Sequence, residues 1–292
     1  SVAQFLFLKI NQNNFDFKNV FYENGFKDIK LVNKPNILHI IPDGLWNLNN
    51  FKDENLKIFI KETLNNSQIS IFDKSLSNYP TTFLSLPSSL NGSLVREDIN
   101  FEENHFNQYI YNSKFHQLLK DYNYDIFWHR TKWIGSRCND KAYICMNQNI
   151  YNNEIAKNYI KLINFNYFWI EKILYKIFNK IPSKHLDYVT DYLNNINKNN
   201  KPKYIFAYIN IPHSPFTVHE NCYPTSLTKT DQIIFTEKEY YKQTKCLFTQ
   251  IDKIVSKLQS ENNDYLIIIQ SDTGWTFKDI PSEKQPDIDW PE

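Results

Sequence analysis

Asn36-Ile37-Leu38-His39-Ile40-Ile41-Pro42-Asp43-Gly44 is the stretch that decides the fold. Its apolar residues run on without alternating, and Pro42-Asp43-Gly44 stops them with a turn signal. An alternating run would mark a sheet with one wet face. An unbroken run marks a strand covered on both faces, as in parallel sheets packed between helices. Tyr204-Ile205-Phe206-Ala207-Tyr208-Ile209 and Tyr265-Leu266-Ile267-Ile268-Ile269 read the same way. Residues 69–72 and 124–128 give shorter strands. Helical patterns lie between them over 51–64, 83–90, 115–122, 186–200 and 240–258. Thr81-Thr82 sits in the cap region of 83–90, where Pro87 is tolerable only near the first turn. The predicted class is α/β, a three-layer α/β/α sandwich on a mostly parallel sheet.

In open sheets of this kind functional groups gather at the carboxyl ends of the strands. The first strand ends at Asp43, the 204–209 strand runs into His213, and the 265–269 strand runs into Asp272. Each alone reads as a capping carboxylate or a loop histidine; three together point to a site. Asp43 and Asp272 supply hard oxygen donors for a divalent cation. Thr82, at a helix start, lies near exposed N–H groups and a positive dipole end that would favour an alkoxide or a phosphate. An ordinary cap is the alternative reading.

Composition removes other classes. Lys+Arg number 33 against 32 Asp+Glu, a net charge of +1, which argues against a nucleic-acid binder working by global basic charge. The chain has only five glycines and neither a GxGxxG nor a GxxxxGK[ST] loop, so Rossmann and P-loop nucleotide sites are out. No apolar run is long enough to span a membrane. Residues 158–180, rich in aromatics with lysines at helical spacing, read as a helix packed on its own domain or lying on an anionic membrane. The four cysteines form two sequence-local pairs, Cys138/Cys145 and Cys222/Cys246. They permit two disulfides; four reduced thiols are the alternative. The chain opens Ser1-Val2 with Met146 as its only methionine, so the reading is of a fragment or a processed product.

Four segments now stand in order: Ile40-Ile41-Pro42-Asp43-Gly44; the run from Asn78-Tyr79-Pro80-Thr81-Thr82-Phe83 to Leu90-Asn91-Gly92; Ile211-Pro212-His213-Ser214-Pro215-Phe216; and Gln270-Ser271-Asp272-Thr273-Gly274. As an ordered set they resemble the sulfatase-like branch of the alkaline phosphatase superfamily. Within it they resemble the phosphoethanolamine and phosphoglycerol transferases of the bacterial envelope. The resemblance runs from about Pro35 to Gly274. It implies a domain over 35–292, incomplete at its C-terminus, and an extension over 1–34 leading from a missing membrane anchor.

The resemblance also implies roles. Asp43 and Asp272 match acidic metal ligands, Thr82 matches the nucleophile and a further ligand, and His213 matches a histidine that meets substrate phosphate or a second metal. Trp128 and Arg130 fall where such enzymes line the cleft, with Arg130 suited to bidentate phosphate. The metal would be divalent, zinc first, with Mn, Mg or Ca as alternatives. Where the family has histidine after the second Asp, this chain has Thr273, a poor zinc ligand. Thr82-Phe83-Leu84-Ser85-Leu86 lacks both the Cys and the Arg of a sulfatase motif. The expected function is transfer of a phospho group from a phospholipid donor to an envelope lipid or glycan, with no nucleic-acid partner, on the periplasmic face of the inner membrane. Ester hydrolysis of sulfatase or phosphodiesterase type, or a non-catalytic binding role, are the rivals. Extracytoplasmic disulfides follow from the same resemblance, and a Cys222–Cys246 bridge would pin the His213 loop to the 240–258 helix.

Overall fold

The computed structural model describes residues 20–21, 26, 29–96, 106–130, 143–147, 189, 193, 200–214, 216, 218–223, 236–260 and 265–274. They divide into two compact units, one drawn from Ser1–Lys34 and Asn78–Tyr124, the other from Pro35–Ser77 and Asp125–Glu292.

The second unit holds the sheet. Its strands are β1 (Asn36–Asp43), β2 (Asp125–Arg130), β3 (Tyr143–Asn147), β4 (Lys203–Pro212) and β5 (Tyr265–Ile269). They stand in the order β3-β2-β4-β1-β5, and every pairing is parallel. Leu38 and Ile40 of β1 face one side together with Ile205, Ala207 and Ile209 of β4. Helices α1 (Glu54–Asn66) and α5 (Glu237–Ser260) cover that side through Leu56, Ile60, Leu247 and Ile251. Each such side chain, wholly withdrawn from water, stabilises the fold by roughly 1.5–3 kcal/mol. On the opposite face Trp128 stacks on Phe206 with ring centroids 4.4 Å apart, and His39 Nδ1 lies 2.9 Å from the Tyr204 hydroxyl.

Local chemistry sets the boundaries. The 51–64 helix begins at Glu54, because Phe51 is spent in the core and the Asp53 carboxylate caps the Leu56 N–H at 3.1 Å. The Glu239 N–H finds the Thr236 hydroxyl at 3.3 Å, so α5 starts just ahead of the expected 240. The strand expected over 69–72 does not form. Both edges of β1 are taken by β4 and β5, and Phe72 is 80% exposed in an irregular connection. Strand β3, unanticipated from the sequence, fills the far edge instead. Val189 and Leu193 are helical and buried, as the 186–200 reading requires; the 158–180 segment lies outside the described residues. Among the described residues no helix is long and apolar enough to cross a membrane.

The first unit contains α2 (Thr82–Asn91), α3 (Phe106–Tyr111) and α4 (Lys114–Asp121), with a small core of Val20, Val95 and Tyr109. Pro87 sits beyond the first turn of α2, deeper than its chemistry led us to expect. Gly92 ends this helix at φ 59°, where its N–H turns back to the Ser88 and Ser89 carbonyls.

Candidate functional site

The carboxyl ends of β1, β4 and β5 converge as the strand-end rule demands. Past Ile40↔Ile269, the last pair of the β1–β5 ladder, the Gln270 N–H still reaches the Ile40 carbonyl at 3.0 Å. This carries Ser271 and Asp272 alongside the Pro42-Asp43-Gly44 turn. Asp272 Oδ1 accepts from the Gly44 N–H at 3.0 Å and from the Thr273 N–H at 2.7 Å; Oδ2 accepts from the Tyr208 hydroxyl at 3.3 Å. Ser271 Oγ accepts from the Leu45 N–H at 2.9 Å and lies 3.1 Å from the Pro42 carbonyl. Gly44 takes φ 70°, a left-handed conformation that a side chain would strain. Gly274 does not share that need: among the described residues a Cβ there would meet Trp46 Cδ1 at an ordinary 3.9 Å.

Asp43 and Asp272 are both buried, 8% and 3% exposed. Burial first, and the Asp272 charge second, push the Asp43 carboxyl up to about 8, while the Tyr208 hydroxyl pulls it the other way. Two desolvated carboxylates side by side are unfavourable until a proton or a cation neutralises one of them. Their hard oxygens suit a divalent cation, and in that respect the residues fit a metal. The donor set is thin: among the described residues no three His, Cys, Asp or Glu side chains gather. Thr273, 6% exposed, occupies the place after Asp272.

His213 joins this end of the sheet. A register shift between Pro42 and Asp43 sets Asp43 opposite Pro212, and the His213 N–H donates to the Asp43 carbonyl at 3.0 Å. Its ring Nδ1 is bonded to the Ser214 carbonyl. Asp43, His213, Asp272 and Thr273 are thus brought together in one unit. Thr82 belongs to the other, half-buried as the first residue of α2; Thr81 is the cap residue, without a side-chain cap bond. Trp128 corrects the sequence reading: its side chain is 0% exposed and stacked on Phe206, so it packs the sheet rather than lining a cleft. Arg130 closes β2, and its side chain lies outside what is described. Cys222 and Cys246 form a disulfide tying residues 218–223 to α5. Cys138 lies outside the described residues, and of Cys145 only the β3 backbone is described.

Tyr208, Tyr240, Gln243 and Ser271 support this geometry, and the sequence reading passed over them. Their one signal was a polar tip on an otherwise apolar face, since a buried phenol or carboxamide needs a partner.

No family model and no curated protein matches the chain. Among solved structures it is similar to the C-terminal periplasmic domain of EcEptC from Escherichia coli in complex with zinc. That match has a TM-score of 0.52 and 13% identity over 87% of this chain and 68% of that one. It is also similar to lipooligosaccharide phosphoethanolamine transferase A from Neisseria meningitidis (TM-score 0.49, 12% identity, 94% of this chain and 48% of that one). A further match is the lipoteichoic acid synthase LtaP from Listeria monocytogenes (TM-score 0.42, 14% identity, 86% and 59%). The chain therefore has the alkaline phosphatase-like α/β fold that its ordered motifs implied. The likeness at these identities is one of fold.

Proposed function

We propose that the chain is a metal-dependent transferase. It moves a phosphoethanolamine- or phosphoglycerol-type group from a phospholipid to an envelope lipid or glycan outside the cytoplasmic membrane. The observation that carries this reading is the buried Asp43–Asp272 pair at the ends of parallel strands in an alkaline phosphatase-like fold. Asp43 and Asp272, with the Thr273 hydroxyl, are the residues that would hold a divalent cation, zinc first and Mn, Mg or Ca otherwise. Such an ion supplies Lewis-acid polarisation of a phosphoryl oxygen and acidifies a hydroxyl.

The rest of the chemistry belongs to the chain. The Thr82 oxygen forms a bond to the donor phosphorus, the ester bond to the lipid alcohol breaks, and that alcohol leaves with the threonine proton. An acceptor hydroxyl then attacks the phosphothreonine, and Thr82 regains its proton. The N-terminus of α2 favours the negative charge that gathers at Thr82. Arg130 and His213 are assigned to the phosphate.

The test is turnover of a chromogenic phosphodiester with and without an acceptor alcohol, alongside elemental analysis of bound metal. Thr82→Ala should lower turnover at least 100-fold while Thr82→Ser retains part of it. Product carried on the acceptor supports transfer; product released only to water makes the chain a hydrolase. A chain that binds no zinc or manganese and turns nothing over refutes the transferase reading.

A further inference from the structure

Helix α5 presents one face to the ends of β1 and β4. Tyr240, Gln243 and Cys246 recur at three-residue spacing, so they lie along that face, and all three are 0% exposed. The Tyr240 hydroxyl donates to the Gly44 carbonyl at 2.9 Å and accepts from the Trp46 N–H at 2.8 Å. The Gln243 amide nitrogen lies 3.1 Å from each of the Pro212 and His213 carbonyls. His213 in turn donates its N–H to the Asp43 carbonyl at 3.0 Å. The backbone of Asp43 is therefore gripped on both sides. Tyr240 holds it through the Gly44 turn, and Gln243 holds it through the end of β4.

Packing alone does not ask for these residues. Phe and Leu would fill similar space without burying a phenol or a carboxamide, groups that are costly inside a core unless every bond is made. The bonds described here all go to backbone groups of the two segments that carry Asp43 and His213. Gly44, whose carbonyl accepts from Tyr240, donates its own N–H to Asp272 Oδ1, so the grip reaches the second carboxylate. We propose that α5 is the positioning element of the carboxylate site, with Tyr240 and Gln243 as positioning residues that fix Asp43 against Asp272. Neither is a catalytic residue. The geometry stands without the metal; its functional consequence rests on the metal reading above.

The experiment measures two quantities on the full chain and its variants Tyr240→Phe, Gln243→Met and Ile254→Val. Hydrogen exchange is followed at the Gly44, Trp46 and His213 amides, and zinc and manganese are titrated calorimetrically. Tyr240→Phe should speed exchange at Gly44 and Trp46 at least tenfold, and Gln243→Met should do so at His213. Each should weaken metal binding about tenfold. Ile254→Val, a core change elsewhere on α5, should leave both readouts at the wild-type value although it lowers stability. Unchanged exchange in Tyr240→Phe and Gln243→Met overturns the grip. Faster exchange with unchanged metal affinity overturns the positioning role. A wild-type chain that binds neither metal overturns the metal reading, and the functional half of this proposal with it, even where exchange responds. If Tyr240→Phe fails to fold, Gln243→Met tests the same claim from the other side.

Discussion

His39 gives the fold a calculable weakness to acid. It lies on β1, 6% exposed, with Nδ1 2.9 Å from the Tyr204 hydroxyl and the Phe206 ring edge-on at 6.0 Å. Burial lowers its pKa from 6.5 to about 4. The sign follows from proton counting. Between those values the unfolded chain takes up a proton at position 39 that the folded chain refuses, so stability falls as the pH falls. Integrating across the shift gives a loss of about 2 kcal/mol at pH 5 and about 3 kcal/mol at pH 4, relative to neutral pH. With a urea dependence of roughly 2 kcal/mol per molar, the His39 share alone amounts to about 1 M of midpoint between pH 7.5 and pH 5. His39→Gln removes the titrating group. Asp43 and every other carboxylate titrate in both proteins, so the difference between wild type and variant isolates His39. That difference should shift by about 2 kcal/mol in favour of the variant on going to pH 5. Urea unfolding of both proteins at the two pH values measures it. A stability difference that does not move with pH would refute the reasoning.

Three further outcomes are expected. Replacing Cys222 and Cys246 together with alanine opens a link of sequence separation 24, and loop entropy puts the loss at about 3 kcal/mol; a melting temperature equal to wild type would contradict it. Gly92→Ala places a side chain at φ 59° and should cost about 1 kcal/mol in chemical denaturation; a neutral result would mean that the end of α2 rearranges. Thr273→His should tighten zinc binding by an order of magnitude, because imidazole is the better zinc ligand; an unchanged isotherm would show that position 273 does not face the metal.

The central strands were legible because burial on both faces leaves an unbroken apolar run, and β5 matches its expected limits residue for residue. The same signal misled at 69–72. Four residues of mixed apolar character look like a strand whether or not an edge is free to receive them, and that is a property of the sheet, not of the segment. Strand β3, Tyr143–Asn147, went unread because Cys, Met and Asn dilute its pattern. Asp43, His213 and Asp272, which lie together at one end of the sheet, were picked out by where strands end. Trp128 was misjudged because an aromatic residue near a strand end reads alike whether it lines a cleft or stacks inside the sheet. Tyr240 and Gln243 carried only the signal of a polar tip on an apolar helix face, which does not say what the tip meets. Their partners are backbone carbonyls and amides far along the chain, and sequence carries no mark of that.

The bond from the Gly44 amide to Asp272 spans 228 residues. During synthesis β1 emerges early and must wait for β4, and then β5, before its edges are filled. Until then Leu38, Ile40 and Ile41 line an open strand edge of the sort other chains can pair with. The two acidic residues are kept apart for the same interval, because the strand that carries Asp272 to its partner is translated last among those described. The cost of burying one carboxylate beside the other therefore arises only after the other four strands of the sheet have been made. The site itself is assembled only after β1, β2, β3 and β4 have all been made, when the segment carrying Asp272 follows them.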